Sequence, residues 1–165
     1  MKNALLALAL LALSIGPPPP KVVKCSMTAD GLVDIYLRDG KVQFFYPRVI
    51  VFNEEGALVY TAEGYGQRTA ADIVKGMHAL AKKNAPRIDG FAAWLRDADG
   101  QPLDPATLKG KPTIAQLGAE WCKPCHALEA ELRRVGGINL LLIDADSKGR
   151  QDELRAALQR RLAKK

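Results

Sequence analysis

Two cysteines separated by two residues, Cys122 and Cys125, sit in the stretch EWCKPCH at positions 120–126. Thiols at this spacing serve three chemistries: a disulfide that forms and breaks, half of a zinc site, or the attachment of haem. The surrounding residues favour the first. The short apolar run Thr113–Leu117 leads directly into the motif, so Cys122 falls at a strand-to-helix junction. Unpaired backbone N–H groups and the helix dipole stabilise a thiolate there. Lys123 adds a neighbouring positive charge, and Pro124 suits the first turn of a helix and stiffens the motif. Cys125 falls one turn in, on the helix's buried face. The expectation is an exposed, acidic attacking thiol at Cys122 and a shielded resolving thiol at Cys125.

Haem attachment stays open as an alternative, an electron carrier rather than an enzyme, because Cys122-Lys123-Pro124-Cys125-His126 matches the CxxCH pattern. A second axial ligand is harder to supply, since Met27, Met77 and His78 all lie upstream of the motif. A structural zinc site needs four ligands, usually two spaced pairs, whereas the chain offers one pair with His126, His78 and Cys25. A purely structural disulfide closing so short a loop removes little entropy from the unfolded chain. The redox reading therefore requires neither metal nor cofactor.

The elements that must position these thiols alternate between strands and helices. Leu32–Leu37 reads as a strand, Arg38–Lys41 as a turn and Val42–Tyr46 as further extended chain, interrupted at Pro47. Arg48–Phe52, the turn Asn53–Gly56 and Ala57–Thr61 read as a hairpin. Thr69–Asp72 has the form of a capping box, and Ile73, Met77, Leu80 and Ala81 mark one helical face, with His78 at its edge as a packing or surface residue. Pro86 and Asp89-Gly90 mark a connection over 84–90. After the motif, Cys125, Leu128, Leu132 and Val135 share a helical face that Gly136-Gly137 ends. Ile138–Ile143 is nearly continuous apolar chain, as in a parallel strand buried on both sides. A last helix packs Leu154, Leu158 and Leu162. The pattern is that of an α/β protein.

The chain of 165 residues, 48% hydrophobic and 25% charged, suffices for one domain with a sizeable core. Its net charge of +6 is spread among acids, and the densest basic cluster, Arg160-Arg161 with Lys164-Lys165, reads as a solvated helix end. No nucleic-acid motif is present, and no nucleic-acid partner is expected. Met1-Lys2-Asn3 followed by the apolar run Ala4–Leu13 predicts a signal peptide over 1–16, cut after Ser14 or Gly16, or else an uncleaved membrane anchor. Pro17–Pro20 predict a stiff spacer over 17–24. Val22-Val23-Lys24 does not resemble the small-residue box that precedes a lipid-modified cysteine, so Cys25 is expected to be unmodified and dispensable. The protein is expected to be periplasmic or otherwise exported, in an oxidising compartment.

The stretch FAAWLRDADGQPLDPATLKGKPTIAQLGAEWCKPC, residues 91–125, resembles the opening half of the thioredoxin superfamily, particularly the exported TlpA-like thiol–disulfide oxidoreductases. The marks are the short strand and DG turn, LKGKP before the core strand, and WCxPC opening a helix. Such domains carry a second half: a cis-proline opposite the cysteines, two antiparallel strands and a helix. FFYPRVIVFNEEGALVYTAEGYGQRTAADIVKGMHAL, residues 44–80, resembles that half but precedes the first, as in a circular permutation. The alternative is an unrelated N-terminal α+β segment joined to one redox half. The permuted arrangement divides the domain 25–165 into a cis-proline half at 25–83, a linker at 84–90 and a CxxC half at 91–165.

The resemblance implies a thioredoxin-like central mixed sheet flanked by helices, with a cis Tyr46–Pro47 bond beside Cys122 and residues 42–83 closing the sheet edge at 138–143. It implies that Cys122 attacks, Cys125 resolves, Trp121 shields the site and Pro47 presents backbone to a substrate. The partners implied are disulfide- or thiol-containing proteins and an upstream redox protein, membrane-bound in one arrangement. Gln116 departs from the family, which often buries an aspartate there; proton transfer would then fall to water or to Glu120. Arg48 stands where threonine is frequent, which alters substrate docking. Reductase, oxidant and isomerase all remain open, because CxxC proteins span potentials from about −270 to about −120 mV.

Overall fold

The computed structural model describes residues 16–64 and 69–164. The signal-peptide and anchor readings fall on residues 1–15, outside them. A six-stranded mixed sheet organises the chain, built from β1 (Lys21–Met27), β4 (Arg48–Phe52), β5 (Leu58–Glu63), β6 (Leu95–Arg96), β7 (Thr113–Gly118) and β8 (Asn139–Asp144). The spatial order is β5-β4-β7-β8-β1-β6. β7 and β8 run parallel at the centre and β1 runs parallel to β8, whereas β4 is antiparallel to β7. Every residue of β7 is buried, which is why its sequence is apolar without alternation.

Helices cover both faces. On one face α2 (Ala70–Met77) and α4 (Lys123–Leu132) lay Ile73, Met77, Leu128 and Leu132 over Val49, Val51, Ile114 and Leu140. On the other, α1 (Ala29–Tyr36), α3 (Ile88–Ala92) and α5 (Gln151–Leu162) cover Phe52, Ala115, Leu117, Leu141 and Ile143. A small separate hairpin, β2 (Leu37–Arg38) with β3 (Lys41–Val42), turns through Asp39 and Gly40, both at positive φ. The capping box is present: Thr69 accepts from the Asp72 backbone while the Asp72 carboxylate accepts from Thr69 N–H. Among the described residues no helix is long and apolar enough to cross a membrane.

Several expectations are corrected. Residues 29–36 form helix α1, not a strand; Thr28 caps it, accepting from Gly31 N–H at 3.3 Å, and Leu32, Val33 and Tyr36 make its buried face. The β-branched content of LVDIYL imitates a strand, but spacing of three and four residues buries more than alternation would. Lys21–Lys24 are not spacer but the first part of β1, paired residue for residue with Asn139–Leu142. The prolines before them are docked: Gly137 N–H donates to Pro18 C=O at 2.7 Å, and Pro17 lies against Gly136. β1 therefore closes the β8 edge, while the β4–β5 hairpin closes the β7 edge instead.

The expected linker 84–90 is stitched to the β4–β5 turn. Leu58 N–H donates to Pro86 C=O and Ile88 N–H to Gly56 C=O. α2 stops at Met77, so Leu80 is exposed rather than packed. Leu162 is also exposed, leaving Leu154 and Ala157 as the buried residues of α5. The Arg160-Arg161 pair is not simply solvated: it reaches Asp30 and Asp34 of α1 at 3.0 and 2.8 Å.

The cap of α1 gives a direct check on this part of the fold. Thr28→Ala removes the side-chain acceptor for the Gly31 amide and is expected to cost about 1 kcal/mol. A lowered urea midpoint at unchanged slope reports it. An unchanged midpoint would contradict a helix starting at Thr28.

Candidate functional site

Helix α4 begins where β7 ends, and Cys122 is its N-cap. The Cys122 sulfur accepts from Cys125 N–H at 3.2 Å and is bonded to the Cys125 sulfur. Pro124 falls in the first turn, where its missing N–H costs nothing. The first turn thus directs an amide at the Cys122 sulfur.

The expected contrast in exposure between the two thiols is not found. Cys122 is 4% exposed and Cys125 3%. Tyr46 packs against Cys122 together with Ala119. What separates the two sulfurs is the space each residue borders. Cys122 lines a groove of about 450 Å³ walled by Phe44, Tyr46, Trp121, Lys123 and Pro124. Cys125 lines a different cavity of about 300 Å³ that includes Gln116, Glu120, Glu129 and Asp144.

Tyr46, joined to Pro47 by a cis peptide, lies just ahead of β4. Its hydroxyl donates to Ala145 C=O, just past β8. Burial first, and then the nearby Asp146 charge, push its phenol well above the ordinary value, so it remains a donor. Trp121 is half-exposed, meets Tyr46 edge-on at 5.7 Å and donates its indole N–H to Asp146 at 3.1 Å. It flanks the disulfide from the solvent side.

Gln116 is 4% exposed, and its Nε2 donates to Cys125 C=O at 2.8 Å. Its Oε1 has no partner among the described residues. Glu120 is exposed, and its backbone carbonyl lies 2.7 Å from His126 Nε2. Arg48 points away from the sulfurs: it pairs with Glu63, which also takes Arg38, and its guanidinium lies 5.5 Å from the Tyr36 ring centroid. Among the described residues no group of three or more His, Cys, Asp or Glu is arranged to hold a metal ion.

Four contributors went unread in the sequence: Phe44, Gly118, Asp146 and Lys148. The Lys148 ammonium lies 4.7 Å from the Trp121 ring centroid. A β-carbon at Gly118 would fall 2.9 Å from the Cys125 sulfur, so only glycine lets α4 seat this closely. One available signal was the polar run Asp144–Lys148 after a parallel strand, because α/β sheets gather their sites beyond the carboxyl ends of such strands.

The chain matches no family model, no curated protein and no solved structure.

Cys25 lies in sheet register with Ile143, and Ile143 with Leu117; these side chains share the face covered by α1 and α5. Gln116, Gly118 and Cys125 meet on the opposite face. The Cys25 side chain thus lies on the other face of the sheet from Cys125, although both residues border one cavity, and burial pushes its thiol up to about 12 from an ordinary 9.0. It is expected to resist alkylation in the folded protein near neutral pH and to react once urea unfolds it. Because the folded value is the higher one, its stabilising contribution is complete below pH 9.0 and fades as pH rises towards about 12. Cys25→Ala should flatten the loss of stability in that window, as read by urea midpoints. Rapid native alkylation would contradict its burial.

Proposed function

We propose that the chain is an exported thiol–disulfide oxidoreductase, working as a reductase on protein substrates. The observation that carries this is the disulfide at the start of α4, in which the Cys122 sulfur takes a helix-terminal amide and Cys122 borders an open groove. A disulfide closing a three-residue separation adds little stability through the unfolded state, so its position at a helix terminus is better explained by chemistry. Export rests on the apolar N-terminal run with its basic start.

We further infer a thioredoxin-like fold with its halves in permuted order. Its supports are the neighbour order β5-β4-β7-β8 with β4 antiparallel, the cis peptide before β4, and the packing of Tyr46 on Cys122. In this reading residues 21–63 and α2 supply what would follow β8 and α5 in an unpermuted chain, and Asn84–Gly90 joins the halves.

The reaction is thiol–disulfide exchange. In the reduced protein, the Cys122 thiolate attacks one sulfur of a substrate disulfide; a mixed disulfide forms and the other substrate sulfur leaves as thiolate. Cys125 loses its proton and attacks the Cys122 sulfur, closing the internal disulfide and expelling the second substrate thiolate. The substrate gains two electrons and the protein loses two. A separate redox protein must return the electrons. Trp121 and Tyr46 limit water around the mixed disulfide.

Cys125→Ser is expected to accumulate mixed disulfides with substrate proteins, and Cys122→Ser to trap none and to reduce insulin only at the uncatalysed rate. Non-reducing gels with mass spectrometry distinguish the two variants. Trapping by Cys122→Ser would overturn the assignment of the nucleophile. Failure of the unmodified protein to exchange with dithiothreitol would overturn the function itself.

A further inference from the structure

The two cysteines border surroundings of opposite charge. Cys125's cavity carries Glu120, Asp144 and Glu129, the last paired with Arg133, and Lys24 on its rim. Cys122's groove carries Lys123 in its wall and Lys148 over the exposed Trp121 ring. Among the described residues neither lysine makes an ion pair. Asp146 accepts from the Trp121 indole N–H and from the Lys148 backbone N–H, and its charge offsets one of the two ammonium groups. Arg38, over the exposed Phe45, is paired with Glu63 and adds no free charge. A ligand entering at Cys122 therefore meets an aromatic wall and a net positive charge, from Lys123 and Lys148, that Asp146 offsets only in part.

We propose that this groove selects a partner polypeptide whose reactive cysteine is next to an aromatic or large apolar residue and within two residues of an aspartate or glutamate. The proposal rests on the thiol–disulfide reading and adds the substrate class. About 450 Å³ accommodates one large side chain between Phe44 and Trp121 while the partner sulfur approaches Cys122. An acidic side chain beside it reaches the Lys123 and Lys148 ammonium groups, which attract it during encounter as well as in the bound state. A basic neighbour meets repulsion at the same place.

The same selection governs the oxidised protein, which makes it measurable. A peptide thiolate attacks the Cys122 sulfur, forming a peptide–Cys122 disulfide; the Cys122–Cys125 bond breaks, and Cys125 leaves as a thiolate that takes a proton from water. A second peptide thiolate releases Cys122. Two peptide thiols are oxidised to one disulfide, and the protein disulfide is reduced to two thiols.

The test compares two synthetic peptides that differ only in Asp or Lys beside a Cys-Phe pair, reacting with the oxidised full chain in stopped flow. Each rate is divided by that peptide's rate with hydroxyethyl disulfide, which removes differences in thiol acidity. At low salt the Asp peptide is expected to react about fivefold to tenfold faster, with the ratio falling towards one at about 0.5 M salt. The double substitution Lys123→Glu with Lys148→Glu, at two exposed positions, is expected to invert the ratio. Replacing Phe by Gly in the Asp peptide is expected to slow it about threefold or more. Equal normalised rates at low salt, or a ratio unmoved by charge reversal, would overturn the selection while dithiothreitol still reduces the disulfide. No reduction by dithiothreitol would overturn the redox reading, and this proposal with it.

Discussion

The close seating of α4 on the end of β7 is the constraint from which the site follows. At Gly118 a single added carbon would fall 2.9 Å from the Cys125 sulfur and 3.1 Å from its β-carbon. With glycine there, the helix starts immediately beyond the strand, Cys122 becomes its N-cap, and the Cys125 amide points at the Cys122 sulfur. A larger residue would lift the helix by a fraction of an ångström and turn that amide away. Packing and capping therefore depend on one missing side chain. The buried β7 beneath it, held between β4 and β8, supplies the rigidity that makes such a contact sustainable.

The opposite wall is assembled from distant parts of the chain. Tyr46 arrives from the segment before β4, Trp121 from the β7–α4 junction, and both are anchored to the loop after β8. Tyr46 donates to Ala145 C=O and Trp121 to Asp146, whose other oxygen accepts from Lys148 N–H. Each ring's polar atom thus has a partner in that loop, which fixes its orientation without burying an unpaired donor. Trp121 remains half-exposed in the wall of the groove, its indole N–H held by Asp146. Exposed aromatic surface held this firmly offers a partner contact area at little further entropic cost.

The central strands, the hairpin at 48–63, the capping box at Thr69 and the cysteine helix were legible because each has a local cause: continuous apolar chain, a glycine turn, a reciprocal cap, a helical face at 125, 128 and 132. The misreadings have local causes too. LVDIYL has the composition of a strand, and its helical character rests on the Thr28 cap and on burial against α5, a contact across the chain. Four prolines before Lys21 suggested a spacer, although prolines placed ahead of a strand leave its ladder intact. The exposure of Cys122 could not be judged from the motif, since its cover comes from Tyr46, 76 residues earlier by the numbering. The acidic and basic sides of the disulfide were likewise hidden, because Lys24, Lys148 and Asp144 reach it from three separate elements.

Gln116 shows why an amide suits this interior better than a carboxylate. Its Nε2 is the partner of Cys125 C=O, inside the first turn of α4. An ionised carboxylate at that point has no hydrogen to give and would set two oxygens against each other in a site 4% exposed. The reversed amide orientation would do the same, so the hydrogen bond fixes which end of the side chain faces the helix. Such a bond contributes roughly 0.5–1.5 kcal/mol and ties the helix start to the strand a second time, beside the Gly118 contact. The cost is the unpaired Oε1, a buried acceptor without a donor among the described residues. Since an amide does not titrate, this tether keeps the same donor and acceptor at any pH at which the protein is folded.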